Sequence, residues 1–91
     1  MTNFGTYYEV KAWDCSWGLM DRFNTLKEAI EGAKKHNDKV ASDGWSRDNM
    51  IVVRIDWSRQ FEETPSGKNK FLTSSETMVR VAEVNYLNEV K

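Results

Sequence analysis

Alternation of apolar and polar residues predicts the first strand, over residues 7–14. One face carries Tyr8, Val10 and Ala12, and the other carries Tyr7, Glu9, Lys11 and Trp13. Residues 15–18 have the composition of a turn, and residues 19–23 fit a returning strand that would complete a hairpin.

The clearest helix signal begins at Thr25. Its hydroxyl can accept a hydrogen bond from a free backbone N–H, and Glu28 can reach back to the cap, so the two residues form a capping box. Apolar residues then recur at helical spacing, at Leu26, Ala29, Ile30, Ala33 and Val40. We predict that the helix ends between Asn37 and Ala41, with Gly44 closing the region.

The strongest strand pattern runs through residues 49–58. One face of this strand carries Ile51, Val53, Ile55 and Trp57, and the other carries Met50, Val52, Arg54 and Asp56. We assign Trp57 and its face to the core. This assignment leaves Met50 and Val52 on the opposite, open face.

The last third of the chain predicts a loop followed by a strand. In residues 63–70, Pro65 suits the second position of a type I turn and Gly67 suits the fourth. Residues 77–90 fit two structures, because valine-rich alternation favours a strand at 77–84 while apolar positions 79, 82, 86 and 90 also fit a helix. We favour the strand, since the apolar positions spread too widely around a helical wheel.

These elements predict an α+β fold in a single domain, residues 1–91. The expected architecture is a small antiparallel sheet of three to four strands with one helix packed on one face, in ββαββ order. Because one helix covers one side of a sheet, the other face should be partly apolar and partly open to solvent. An open sheet face and free edge strands also favour a homo-oligomer.

The charge balance argues against duplex DNA as a partner. The chain has 13 basic and 14 acidic residues, and no segment supplies the concentrated positive surface that duplex binding requires. No apolar run approaches membrane-spanning length, and the first five residues lack the features of a signal peptide. A single cysteine excludes an intrachain disulfide, so we expect a cytoplasmic protein with no membrane partner.

Few residues offer catalytic or metal chemistry. His36 and Cys15 are the only residues of their types and could form a nucleophile–base pair, but neither lies in a catalytic signature. Structural zinc needs four N/S ligands, and no glycine-rich phosphate loop is present. We therefore expect no metal, no cofactor and no enzymatic activity.

Four tryptophans are unusual in so small a domain. Trp17 and Trp45 lie in predicted turns beside glycines, and Trp13 lies on the predicted open face. A loop tryptophan can fold back over the end of a small core, or it can point outward and anchor a partner beside an arginine such as Arg47. We predict a partner-binding surface composed of Tyr7, Trp13, Trp17, Trp45 and Arg47.

Three sequence pieces together resemble small phage-encoded accessory proteins. They are the strand YYEVKAWD, the helix start F-x-T-x-x-E-A at residues 23–29 and the strand MIVVRID, within residues 7–56. The resemblance implies a protein of the host cytoplasm that binds and blocks a host protein or a defence signal. It carries over no individual site residue.

Two main hypotheses follow. The first is a non-enzymatic protein that inhibits or modulates a partner protein, as an anti-defence or host-takeover factor would. The alternative is a nucleotide or short-RNA binder in which Trp17, Trp45 and Arg47 stack on bases and hold a phosphate. The near-neutral charge favours the protein partner, and a small enzyme using Cys15 or His36 is the least favoured hypothesis.

Overall fold

A computed structural model describes residues 2–91. Three strands, β1 (Thr2–Ala12), β2 (Met50–Glu63) and β3 (Asn69–Val84), form one antiparallel sheet with β2 in the centre. One helix, α1 (Leu26–Ser42), packs on one face of this sheet. The predicted α+β class and strand count are confirmed, but the element order is βαββ and the predicted ββαββ order is wrong.

The predicted returning strand at residues 19–23 does not form. This part of the chain meets β1 only at isolated bridges, made by Gly18 and Phe23. Between the two bridges Met20 is 98% exposed, whereas Leu19 and Phe23 at the ends of the segment pack against the core. The Phe23 ring turns to the helix instead, where a Cβ atom on Gly32 would lie only 2.6 Å from it.

Helix α1 starts at the predicted cap and ends at Ser42, just beyond the predicted limit. Thr25 Oγ1 accepts a hydrogen bond from the N–H of Glu28 at 3.1 Å. Two small residues of the helix, Ala29 and Ala33, are fully buried against the sheet. The core between α1 and the sheet is formed by Val10, Ala29, Ala33, Met50, Val52, Ala82 and Val84.

The two faces of β2 are the reverse of the prediction. Met50 and Val52 lie beneath the helix, because Ala12 and Val10 of β1 pair with them and paired residues share a face. The face opposite α1, here called the outer face, carries Ile51, Val53 and Ile55. Both faces of β2 are apolar, so alternation alone could not say which one the helix covers.

Trp57 also lies on the outer face and is not part of the core beneath the helix. It is half-buried and packs over Gly5 of β1, where an added Cβ atom would come within 2.9 Å of the indole. The guanidinium of Arg59 lies 5.5 Å from the centre of the ring. Trp57 therefore covers β1, in the space that Gly5 leaves.

Charged side chains cover the apolar residues of the outer face. Val53 and Ile51 are each no more than 3% exposed, although no helix lies over them. Their register partners on β1 are Glu9 and Lys11, which form an ion pair at 3.4 Å. Long charged residues can bury their aliphatic stems on an apolar surface while the charged ends stay in water. The outer face is therefore closed to solvent at Ile51 and Val53, while Met78 on the same face is 55% exposed.

Beyond the helix the sheet continues as a long arm, formed by residues 2–6, 56–63 and 69–78. The molecule measures 59 × 24 × 22 Å. Its radius of gyration is 17.2 Å, whereas a compact chain of this length would have about 12 Å. All residues of β3 from 69 to 80 are exposed.

The arm shows that β3 is a strand, as we favoured, and that it begins much earlier than the predicted residue 77. The turn before it has the predicted form. The N–H of Gly67 donates to the C=O of Thr64 at 2.9 Å, which places Pro65 second and Gly67 fourth. Among residues 2–91, no helix has the length and apolar character needed to cross a membrane.

Candidate functional site

The end of helix α1 fixes the backbone of Trp45. The N–H of Gly44 donates to the C=O of Ala41 at 3.2 Å, and the N–H of Trp45 donates to the C=O of Val40 at 2.8 Å. These two bonds define a Schellman motif, which requires a left-handed residue after the helix. Gly44 supplies it, with φ of +84°.

Asn37 fixes the chain on the other side of Trp45. Its side chain is fully buried, and its Oδ1 accepts the N–H of Asp48 at 2.9 Å. Its Nδ2 lies 3.1, 3.2 and 3.1 Å from the C=O of Asp48, the C=O of Asn85 and the Oδ1 of Asn88. Asn37 therefore joins α1, the segment before β2 and the C-terminal turn at one buried point.

Trp17 and Trp45 line one open cleft of about 490 Å³, here called the Trp17–Trp45 cleft. Its lining residues are Trp17, His36, Val40, Trp45, Ser46 and Asp48. Trp45 is 74% exposed and Trp17 is 38% exposed. The Trp17 ring also contacts His36, with 5.2 Å between ring centres. The cleft thus has aromatic and aliphatic walls with polar groups at its margin.

Two side chains beside the cleft, Arg47 and His36, have carboxylate neighbours. Arg47 Nη2 lies 3.8 Å from Asp38 Oδ1, and His36 Nε2 lies 3.8 Å from Asp48 Oδ2. Each pair is partly exposed to solvent. The Arg47 guanidinium therefore does not offer a phosphate an uncompensated positive charge.

The other two predicted binding residues lie away from the cleft. Trp13 is 66% exposed and lines a second cleft of about 370 Å³ at the end of the sheet, beside Met50 and Lys91. Tyr7 is half-buried on the outer face, with the Arg22 guanidinium 4.5 Å from its ring centre. The structure therefore brings together Trp17 and Trp45, and does not join Trp13 and Tyr7 to them.

Cys15 and His36 have separate local partners. Cys15 is exposed in a tight turn with φ of +60°, and its N–H donates to the C=O of Ala12 at 2.8 Å. His36 contacts Trp17 and Asp48. Within residues 2–91, no hydrogen bond joins Cys15 to His36, and no group of three or more His, Cys, Asp or Glu residues could hold a metal ion.

Sequence reasoning missed the residues that organise and complete the cleft. Asn37 follows Ala33 by four residues, so it occupies a core position of the apolar helix face. A polar residue at such a position is a signal of a buried hydrogen-bond network. Val40 was counted only among the apolar residues at helical spacing, and it lines the cleft together with Ser46 and Asp48.

No protein-family model, curated protein or solved structure matches the chain. No residue role can therefore be taken from a relative. The function has to be inferred from the geometry of the cleft.

Proposed function

We propose that the protein is a non-enzymatic binding protein that acts on a partner protein through the Trp17–Trp45 cleft. The observation that carries this proposal is that Trp45 combines an exposed indole with a fixed backbone. Its indole is 74% exposed, although hydrogen bonds hold the backbone of Trp45 on one side and of Asp48 on the other. A large side chain presented on a fixed backbone loses little freedom on binding. Tryptophan is also enriched among the residues that dominate interface energies.

The cleft suits an apolar anchor of a partner protein. Its walls are the two indoles and Val40, and its margin carries Ser46 and Asp48. An apolar centre within a polar rim is the usual composition of a protein interface. From the resemblance to phage accessory proteins, we infer that this binding inhibits or modulates a host protein.

The charges near the cleft favour a protein over a nucleotide or short RNA. A nucleic-acid ligand would need a cation for its phosphate as well as an aromatic platform for its base. Arg47 is the nearest arginine in sequence to Trp45, and it pairs with Asp38 at 3.8 Å. The net charge of −1 adds no general attraction for phosphate.

A comparison of two exposed tryptophans tests the proposal. Wild type, Trp45→Ala and Trp13→Ala are immobilised and exposed to a nuclease-treated extract of the cells in which the protein acts. Trp13 is the matched control, because it is 66% exposed but lies outside the cleft. We expect a protein that is retained by wild type and Trp13→Ala and lost from Trp45→Ala, with circular dichroism unchanged.

Two results would contradict the proposal. Equal retention of every protein by all three forms would remove Trp45 as an anchor, and unfolding of Trp45→Ala would make Trp45 a lid over the core. Titration with nucleotides and oligonucleotides provides a separate check. A saturable change in tryptophan emission that is lost in Trp45→Ala would favour the nucleotide alternative.

A further inference from the structure

The Trp17–Trp45 cleft combines two indole rings with one carboxylate. Asp48 is the acidic residue that lines it, and no arginine or lysine of residues 2–91 does so. The Asp48 side chain is partly exposed, and its Oδ2 lies 3.8 Å from His36 Nε2. Within the described chain this carboxylate accepts no hydrogen bond, so both of its oxygens can accept one from a ligand.

The cleft lies at the C-terminal end of helix α1. Val40 and Trp45 line it, and the C=O of Val40 accepts the N–H of Trp45 at 2.8 Å. The C-terminal end of a helix carries a partial negative charge, which favours a cation beside it. Residues 36–48 contain three aspartates and two basic residues, Lys39 and Arg47, and Arg47 pairs with an aspartate at 3.8 Å. These charges favour a cation over an anion in the cleft.

The indoles of the cleft lack a contact that arginine makes with another tryptophan of this chain. The guanidinium of Arg59 lies 5.5 Å from the ring centre of Trp57. Within residues 2–91, no arginine or lysine lies over the ring of Trp17 or Trp45 in this way. Because the face of an indole is electron-rich, it attracts a cation placed over it. The two rings therefore suit a cationic group supplied by another molecule.

We propose that the cleft receives an arginine side chain of the partner protein. This inference rests on the proposed function and names the residue that fills the cleft. The methylene groups of arginine pack on Val40 and the indoles, while its guanidinium stacks on an indole and donates to Asp48. One side chain thus uses both the apolar walls and the carboxylate at the margin. A lysine ammonium is a point charge that can neither stack on a ring nor donate as a fork, so arginine fits better.

A titration with acetyl-arginine amide tests this binding directly. Acetyl-citrulline amide is the matched control, because it has nearly the same shape and no charge. The indole N–H signals of the four tryptophans are followed by nuclear magnetic resonance. We expect saturable shifts of the Trp17 and Trp45 signals, with the citrulline compound binding at least about fivefold more weakly.

The other two tryptophans serve as internal controls in this titration. Trp13 and Trp57 lie outside the cleft, so their signals should stay in place. Equal binding of the two compounds would overturn the proposal, because the cleft would then not recognise charge. The absence of a saturable shift, or a shift of the Trp13 signal as large as that of Trp45, would also overturn it.

Removal of one carboxylate tests the role of Asp48. Asp48→Asn keeps the backbone groups that bond to Asn37, so the fold should be retained. Asp43→Asn is the matched control, because it removes the same charge from an exposed residue that does not line the cleft. We expect Asp48→Asn to weaken binding of acetyl-arginine amide about threefold or more, and Asp43→Asn to leave it unchanged. Equal effects of the two variants would overturn the assignment of Asp48.

The protein captured from the cell extract separates this inference from the proposed function. Its retention is compared on wild type, Trp45→Ala and Asp48→Asn. Loss from Trp45→Ala together with weaker retention by Asp48→Asn would support both. Loss from Trp45→Ala with full retention by Asp48→Asn would overturn the arginine and leave the proposed function standing. Full retention by Trp45→Ala would overturn both.

Discussion

At the scale of single residues, Asn37 does most to hold the candidate site together. Among residues 2–91 it is the only polar residue that is fully buried, and each of its side-chain polar atoms has a partner. Its contacts reach Asp48, Asn85 and Asn88, which belong to parts of the chain far apart in sequence. A satisfied buried network of this kind selects one arrangement of the segments that it joins.

Replacing Asn37 should therefore destabilise the whole domain. Asn37→Ala leaves the N–H of Asp48 without its partner and opens space in the core, so we expect the free energy of unfolding to fall by about 2–4 kcal/mol. Urea denaturation measures this loss. Asn24→Ala, at an exposed position just before the helix cap, is the control and should change stability by less than about 1 kcal/mol. A comparably small effect of Asn37→Ala would show that the network is not important for folding.

A second residue links stability to pH. Thr6 donates a hydrogen bond to Asp56 Oδ1 at 2.7 Å, and this bond lowers the pKa of Asp56 from its usual 3.8. Partial burial opposes the shift, and Arg54 adds to it. Since the pKa is lower in the folded state, Asp56 contributes stability above the unfolded value, and the contribution is lost as pH falls through the folded value.

Asp56→Asn should accordingly make the protein less sensitive to acid. We expect its free energy of unfolding to fall less than that of wild type between about pH 5 and about pH 2. Thr6→Val, which removes the donor and keeps the carboxylate, should flatten the curve in the same direction. Parallel curves for wild type and both variants would show that the hydrogen bond does not stabilise the arm.

At the scale of elements, the C-terminal end of α1 positions the segment that contains Trp45. Trp45 follows a helix that could not end in a Schellman motif without a residue in the left-handed conformation. An added Cβ atom on Gly44 would meet nothing within 4 Å, so glycine is needed there for its φ of +84° alone. The backbone conformation of one glycine thus sets where the backbone of Trp45 lies.

Two substitutions at Gly44 separate backbone conformation from packing. Gly44→Ala should lower the free energy of unfolding by about 1 kcal/mol, because L-residues pay that cost in the left-handed region. Gly44→Asn should cost less, since asparagine visits this region more readily. Thermal or urea unfolding of the pair provides the measurement. An alanine variant as stable as the asparagine variant would show that the helix ends in another way.

At the scale of the whole molecule, features that depend on neighbouring residues were predictable from the sequence. Features that depend on the pairing and packing of distant segments were not. The hydrogen bond from the N–H of Glu28 to Thr25 Oγ1 and the turn at Pro65 depend on neighbouring residues, and both form as expected. The face of β2 that meets the helix depends on pairing with β1, which alternation does not encode when both faces are apolar. Trp57 was misassigned for this reason, and residues 19–23 were misassigned because Phe23 packs on the helix.

The same limit applies to the candidate site. The sequence singled out Trp17 and Trp45 as tryptophans in turns, but only the fold brings them to one cleft. Tyr7 and Trp13 were added to them as residues of the predicted open sheet face, and the structure places both away from the cleft.

The role of Trp45 as an anchor is tested most directly by the dissociation constant of the captured protein, measured by calorimetry with wild type, Trp45→Ala and Trp13→Ala. We predict that Trp45→Ala weakens binding about 30-fold or more, as loss of about 2 kcal/mol at an interface centre would. Trp13→Ala should bind as wild type does. A folded Trp45→Ala variant with the dissociation constant of wild type would contradict the account.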